Sequence, residues 1–157
     1  PLMHGKMYEE KAFYAYLNET KNYSMRHLGS ENPLFLEYNS YSGGSPDGIM
    51  GEGTNIEWLS EVKCPKNSKN HFKYLQFKDQ WDLKEGRNEY YCQIQFLLMI
   101  TKASGAHFIS YDERFINKSL RIKIIDVLPD QKFFDALNVR LQMAEKEKQK
   151  IIQSLLP

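Results

Sequence analysis

The sequence predicts a mixed α/β fold in which a small β-sheet is flanked by helices. Three stretches carry that expectation. Residues 55–63 set Ile56, Trp58, Ser60 and Val62 against Glu57, Leu59, Glu61 and Lys63, the two-residue period of a strand. Residues 6–18 bring Ala12, Phe13, Tyr16 and Leu17 to one side at helical spacing. Residues 89–102 are apolar nearly all round, through Tyr90, Tyr91, Ile94, Phe96, Leu97, Leu98, Met99 and Ile100, which suits a helix inside a core.

The remaining elements follow in chain order. A break over residues 29–33 precedes a strand at 34–39. Gly43, Gly44, Pro46 and Gly48 then crowd the approach to a short strand ending near Met50 and bearing Asp47. Gly51-Glu52-Gly53 and Thr54 reverse the chain into the strand at 55–63. Residues 65–88 are polar, lysine-rich and mixed with aromatics, and the pattern assigns them no local structure. Gly105 is placed at the C-terminal stop of the apolar helix. Strands follow at 106–111 and 120–128, and Pro129 opens a final helix reaching about Ser154 from the favoured first position. The expected order is helix, three strands, helix, two strands, helix.

At 157 residues the chain fits one domain, 1–157, with folding burying roughly 68–70% of the unfolded surface. No repeat or low-complexity linker divides it. The first residue is Pro rather than Met, so we expect a fragment or the ordered part of something longer. With 21 Lys+Arg against 20 Asp+Glu the net charge is +1, which speaks against a histone-like protein. Aromatics are plentiful, with 10 Tyr, 9 Phe and 2 Trp, which speaks against disorder. The longest apolar run, residues 96–100, is far short of the ~20 residues that cross a bilayer. We therefore expect no membrane and a cytoplasmic location. Two cysteines, Cys64 and Cys92, are too few for a disulfide framework or a four-thiolate cluster.

The sharpest chemical feature is Glu61-Val62-Lys63. Residues two apart on a strand share a face, so the carboxylate and the ammonium stand side by side. Alone, they read as a solvent-facing ion pair worth about 0–1 kcal/mol. Asp47 changes that balance, because an antiparallel return brings it towards Glu61. Two adjacent carboxylates repel unless a cation or a proton intervenes. Glu9 sits in the arc of Ala12, Phe13 and Tyr16. Two readings of it stand: an acid centred on an apolar stripe needs a partner, whereas an acid near a helix start is favoured by the macrodipole. Gln93, in the most apolar helix, reads by default as a buried amide satisfied by backbone.

Together Glu9, Asp47, Glu61 and Lys63 offer hard oxygen ligands and one cation, a set that suits Mg²⁺ or Mn²⁺. Such a metal lowers the pKa of a bound water and clamps a phosphodiester. His4, His27, His71 and His107 form no motif, and no G-x-S-x-G is present.

Ser45-Pro46-Asp47-Gly48 followed by Glu61-Val62-Lys63-Cys64-Pro65 resembles the PD-(D/E)XK nuclease signature. More narrowly it resembles the phage lambda exonuclease/YqaJ viral recombinase group. Gly5-Lys6-Met7-Tyr8-Glu9, Tyr91-Cys92-Gln93-Ile94-Gln95 and Phe108-Ile109-Ser110-Tyr111-Asp112 are similar in order and spacing to that group's other motifs. The resemblance implies a restriction-endonuclease-like core with a mixed central sheet. It implies a 5′-to-3′ exonuclease on double-stranded DNA ends that leaves a 3′ single strand for recombination. Asp47, Glu61 and the Val62 carbonyl would surround Mg²⁺, Lys63 and Gln93 would position the attacking water, Glu9 would support the metal, and Ser45 would lie near the DNA terminus. It further implies a ring-shaped homotrimer working with a single-strand annealing protein. Family members carry a further N-terminal segment whose basic residues hold the 5′ phosphate; here Pro1 to His4 precede the motif. The alternatives are a structure-specific or restriction-like endonuclease on the same fold, and a non-catalytic DNA-binding module.

The charge distribution fits a DNA partner better than the total does. Residues 1–62 carry 4 basic and 9 acidic side chains, and residues 63–78 carry 5 lysines and no acid. We expect Lys66, Lys69 and Lys73 to contact the DNA backbone.

Overall fold

The computed structural model describes residues 2–29, 33–52 and 55–155. Helix α1 (Leu2–Thr20) leads into a two-residue strand β1 (Arg26–His27) and a hairpin of β2 (Leu36–Asn39) and β3 (Ser42–Gly44). Strands β4 (Gly48–Glu52) and β5 (Asn55–Lys63) follow, then α2 (Ser68–Leu75), α3 (Gln80–Gly86) and α4 (Asn88–Thr101). The chain closes with β6 (Gly105–Tyr111), one 3-10 turn (Lys118–Leu120), β7 (Ile122–Val127) and α5 (Gln131–Leu155).

The main sheet runs β1-β4-β5-β6-β7. Only β5 and β6 are parallel, with Glu61 opposite Phe108 and Lys63 opposite Ser110, and the other pairings are antiparallel. This is the mixed central sheet that the pattern predicts. Both faces are covered. On one, α1 lays Ala12, Phe13 and Tyr16 onto Val62 and Ile109. On the other, Tyr91, Ile94, Leu97 and Leu98 of α4 pack on Leu59, Ala106 and Phe108. Coverage on both sides explains why Leu59, Ser60, Glu61 and Val62 are buried in succession, whereas the alternation in the sequence suggested one wet face. No helix among the described residues is long and apolar enough to cross a membrane.

Several boundaries differ from expectation for identifiable reasons. Residues 65–88 form two helices, because Asn67 caps α2 through the Lys69 N–H and Asp79 caps α3 through the N–H groups of Trp81 and Asp82. Gly105 is not the stop of α4. Lys102 ends that helix in the left-handed region (φ 57°), and Gly105 starts β6, where a Cβ would meet the Trp58 ring at 2.7 Å. Pro129 is not the first helical residue; Asp130 caps α5, its side chain accepting from the Phe133 N–H. Leu120 ends the 3-10 turn rather than opening β7. Asp47 lies immediately before β4, not within it. Gly53 and Thr54, at the tip of the expected reversal, lie outside the described residues. Gly51 at its base has φ +135°, a conformation that favours glycine.

The segment leaving β5 is fastened by Arg114. Its guanidinium grips Asp112 through Nε (2.7 Å) and a terminal nitrogen (2.8 Å), and also donates to the carbonyls of Pro65 and Lys66 at 2.9 and 2.8 Å. Those bonds hold the Asp112 carboxyl below its usual range, against the opposing effect of burial. Its contribution to stability is therefore present above the ordinary carboxylate range and is lost as pH falls through the depressed value. Arg114→Ala removes the guanidinium from buried Asp112 and leaves it the backbone N–H of residue 114, and we expect it to cost about 1–3 kcal/mol. Urea unfolding at pH 7 and pH 3 measures this; a variant as stable as wild type at pH 7 refutes it.

Candidate active site

The centre of the site is the C-terminal end of β5. Period-two geometry puts Glu61 and Lys63 on the face shared with Leu59, the face covered by α4. Glu61 is 2% exposed. The Lys63 ammonium and the Gln93 amide (Nε2, 2.7 Å) both donate to Glu61 Oε1. Glu61 Oε2 is buried with no hydrogen-bond partner. So the solvent-facing pair suggested by the sequence is in fact a buried one. Lys63 also sits 5.0 Å from the centroid of the Tyr90 ring, a cation–π contact.

Asp47 reaches the same point from the residue just before β4. Its N–H donates to the Ser60 carbonyl at 3.1 Å, and its Oδ2 accepts from the Val62 N–H at 2.7 Å. Gly48 makes this approach possible: a Cβ there would lie 2.4 Å from Ser60 Oγ and 2.7 Å from the Phe13 ring.

Electrostatics mark the spot as short of positive charge. Burial, followed by the Glu61 carboxylate, pushes the Asp47 carboxyl up to about 7, against the pull of Lys63 and the Val62 N–H. Burial likewise raises Glu61, opposed by Lys63 and Gln93. For Lys63, burial disfavours the charge, but Glu61 and Asp47 outweigh it and the pKa rises. One ammonium thus serves two crowded carboxylates.

Glu9 projects from α1 into a cleft of about 690 Å³ lined also by Lys6, His27, Ser45, Pro46 and Asp47. Its charge raises the pKa of both Asp47 and Glu61, and its Oε1 lies 3.1 Å from His27 Nε2. Here the partner reading of Glu9 applies. Ser45 is exposed on the cleft wall.

Gln93 is exposed and turned onto Glu61; the buried amide satisfied by backbone is Gln95, which donates to Leu128 O and accepts from the Asp130 N–H. Lys66 precedes α2, Lys69 and Lys73 stand one turn apart on it, and all three are exposed. Lys73 donates to the Gly86 carbonyl at 3.4 Å. Cys64 and Cys92 are both free, and burial pushes the Cys64 thiol up to about 12.

The residue set fits a hard divalent cation. An orphaned buried carboxylate oxygen and a second carboxylate made reluctant to ionise are what such an ion would relieve. No group of three His, Cys, Asp or Glu is gathered to hold a metal among the described residues. Asp47 and Glu61 thus form a two-carboxylate core that needs backbone, water or substrate oxygens to complete a shell.

Sequence reading missed His27, Tyr90 and Arg114. Tyr90 adjoins a quoted motif, and Arg114 follows one by two residues. No local pattern marks His27, which lies 18 residues from its partner.

The class of this protein follows from topology as much as from side chains. An antiparallel β4–β5 pair delivers an aspartate onto an E-x-K strand, whose parallel neighbour β6 seats the glutamine-bearing helix above it. That is a PD-(D/E)XK nuclease fold. Residues 1–104 match the model of the YqaJ-like viral recombinase domain, and the chain belongs to that family. Among solved structures, LHK-Exo in complex with dAMP is 23% identical, with 98% of this chain and 70% of that one aligned at a TM-score of 0.76. The alkaline exonuclease LHK-Exo from Laribacter hongkongensis is 21% identical over 96% and 75%, TM-score 0.61. A phage-related exonuclease from Haemophilus somnus 129PT is 16% identical over 99% and 73%, TM-score 0.72. At these identities the likeness establishes the fold. Among curated proteins no sequence match is found. Family and fold together support a nuclease.

Proposed function

We propose that the chain is a Mg²⁺-dependent exonuclease, with Mn²⁺ able to substitute, that degrades double-stranded DNA from its ends in the 5′-to-3′ direction and leaves a 3′ strand for recombination. The observation that carries this reading is the orphaned Glu61 Oε2 beside Asp47, with Lys63 and Gln93 converging on the other Glu61 oxygen. Asp47, Glu61 and the Val62 carbonyl would hold the metal, with Glu9 in support. The ion would supply Lewis-acid activation of a water and neutralise charge on the scissile phosphate. Lys63, beside Glu61 at the end of β5, is placed to position the attacking water. Gln93 fixes the carboxylate that Lys63 faces and can turn its amide to the same water. Ser45, exposed on the cleft wall, would lie near the DNA terminus.

LHK-Exo has been solved in complex with dAMP, and a deoxynucleoside monophosphate is the product an exonuclease releases. The cleft of about 690 Å³ beside Asp47 has room for such a group. By family resemblance the enzyme works as a ring-shaped homotrimer with a single-strand annealing protein, in the cytoplasm of a bacterial host.

The test is digestion of linear against covalently closed circular duplex in Mg²⁺. Degradation of the linear form alone is expected; cleavage of closed circles would replace this reading with an endonuclease. DNA binding without Mg²⁺ or Mn²⁺ binding in calorimetry would reduce the chain to a binding module. Comparing 5′-phosphorylated with 5′-hydroxyl ends reads the polarity. Neutralising Lys66, Lys69 or Lys73 should each flatten the log–log salt dependence of duplex binding by about one; an unchanged slope places that lysine off the DNA.

A further inference from the structure

We propose that His27 is the positioning residue of the metal centre: its Nε2 donates to Glu9 and holds that carboxylate in fixed relation to Asp47. This rests on the proposed metal role of Glu9.

Three observations converge on it. First, Glu9 stands within electrostatic reach of Asp47 and Glu61, and mutual repulsion would swing an untethered glutamate outward. His27 Nε2 lies 3.1 Å from Glu9 Oε1, and in the neutral ring only the tautomer protonated at Nε2 can donate there. Second, the ring is itself fixed. It packs on Phe13, one turn further along α1, with centroids 4.8 Å apart at 31°, so His27 touches α1 at two positions of one face. Third, the strand that carries His27 also anchors Asp47. His27 pairs with Gly48 across β1–β4, and the Leu28 N–H donates to the Asp47 carbonyl at 2.9 Å. With no room for a Cβ at Gly48, the short β1 strand locks the glutamate on α1 and the aspartate just before β4 together.

Groups that orient metal-binding carboxylates commonly shift metal affinity when removed. Two variants separate the hydrogen bond from the packing. His27→Phe keeps the contact with Phe13 and loses the donor; His27→Gln keeps an amide donor and loses the ring. Mn²⁺ binding is measured by calorimetry on the metal-free protein, alongside the Mn²⁺ concentration that half-saturates cleavage of linear duplex. We expect His27→Phe to weaken Mn²⁺ binding on the order of tenfold and to raise the half-saturating concentration in step, with His27→Gln recovering most of the loss. Wild-type affinity in His27→Phe overturns the proposal. So does equal weakening in both variants, since a restored donor would then fail to restore binding; weakening in His27→Gln alone would assign the effect to ring packing. Asp47→Ala serves as the control. If it still binds Mn²⁺ like wild type, the metal-centre reading itself fails; if it loses binding while His27→Phe keeps it, only the role of His27 fails.

Discussion

Asp47→Asn should stop cleavage of linear duplex and, in the same molecule, stabilise the metal-free protein at pH 8. The first effect follows from loss of one of two carboxylates in the core of the site, and we expect it on the order of a thousandfold. The second follows from the pKa. Burial and the Glu61 carboxylate push the folded Asp47 carboxyl from 3.8 up to about 7. Between those values the folded state holds a proton that the unfolded state releases, so stability falls as pH rises through that window and is lowest above it. Asparagine keeps an oxygen to accept from the Val62 N–H and removes the charge. The gain should be on the order of 2 kcal/mol, or roughly 5 °C in Tm, and should shrink towards zero near pH 4. Thermal unfolding in a chelator across pH 4–9 measures it. A variant whose stability tracks wild type across that range would show that Asp47 is not destabilised by its setting. Added Mg²⁺ should narrow the difference by stabilising wild type alone.

Lys63→Met should be equally inactive, but with the opposite sign in stability. Glu61 is 2% exposed and Lys63 is its cation. Removing one partner of a buried pair leaves the other uncompensated. Glu61 then relieves the cost by taking up a proton, which moves its already raised pKa further up. Because that proton becomes harder to supply as pH rises, the destabilisation should grow with pH, reaching about 1–3 kcal/mol at pH 9. Urea midpoints at pH 6 and pH 9 decide the matter. Equal midpoints for the variant and wild type at pH 9 would mean that the pair contributes nothing. Extra Mg²⁺ should not restore cleavage in Lys63→Met, since on the proposed function the missing group is the one that positions the attacking water.

The two variants together bear on why so poor a set of neighbours is kept. Asp47 and Glu61 share one ammonium, Glu9 adds to the repulsion on both, and the apo site is strained electrostatically. Strain of this kind is relieved by a divalent cation, and it is tolerable because the sheet and α4 hold the carboxylates in place regardless.

Much of the site could be read from the chain because it depends on local geometry. That Glu61 and Lys63 share a face follows from the period of an extended strand and needs no partner. The Gly-rich residues between Met50 and Asn55 suggest a reversal and β4 does pair antiparallel with β5, so the approach of Asp47 was foreseeable too. The order of strand, lysine-rich segment and apolar helix likewise follows from pattern.

Other features depended on what covers what. Glu61 and Lys63 have the spacing of a surface pair; Glu61 is buried and Lys63 largely covered because β6 lies parallel to β5 and α4 crosses above, contacts made with residues 27 to 47 positions away. In a helix apolar nearly all round, periodicity cannot say whether Gln93 or Gln95 faces the core, and packing chose Gln95 for the interior and Gln93 for Glu61. The His27–Glu9 bond joins a helix to an edge strand only two residues long, a link that no spacing rule encodes. The sequence by itself determined which groups stand side by side along one element, since backbone hydrogen bonding sets those periods. Which groups are deprived of water was settled by tertiary packing, because burial is a property of the layers stacked on the sheet, and that deprivation is the first cause of the raised Asp47 and Glu61 pKa values.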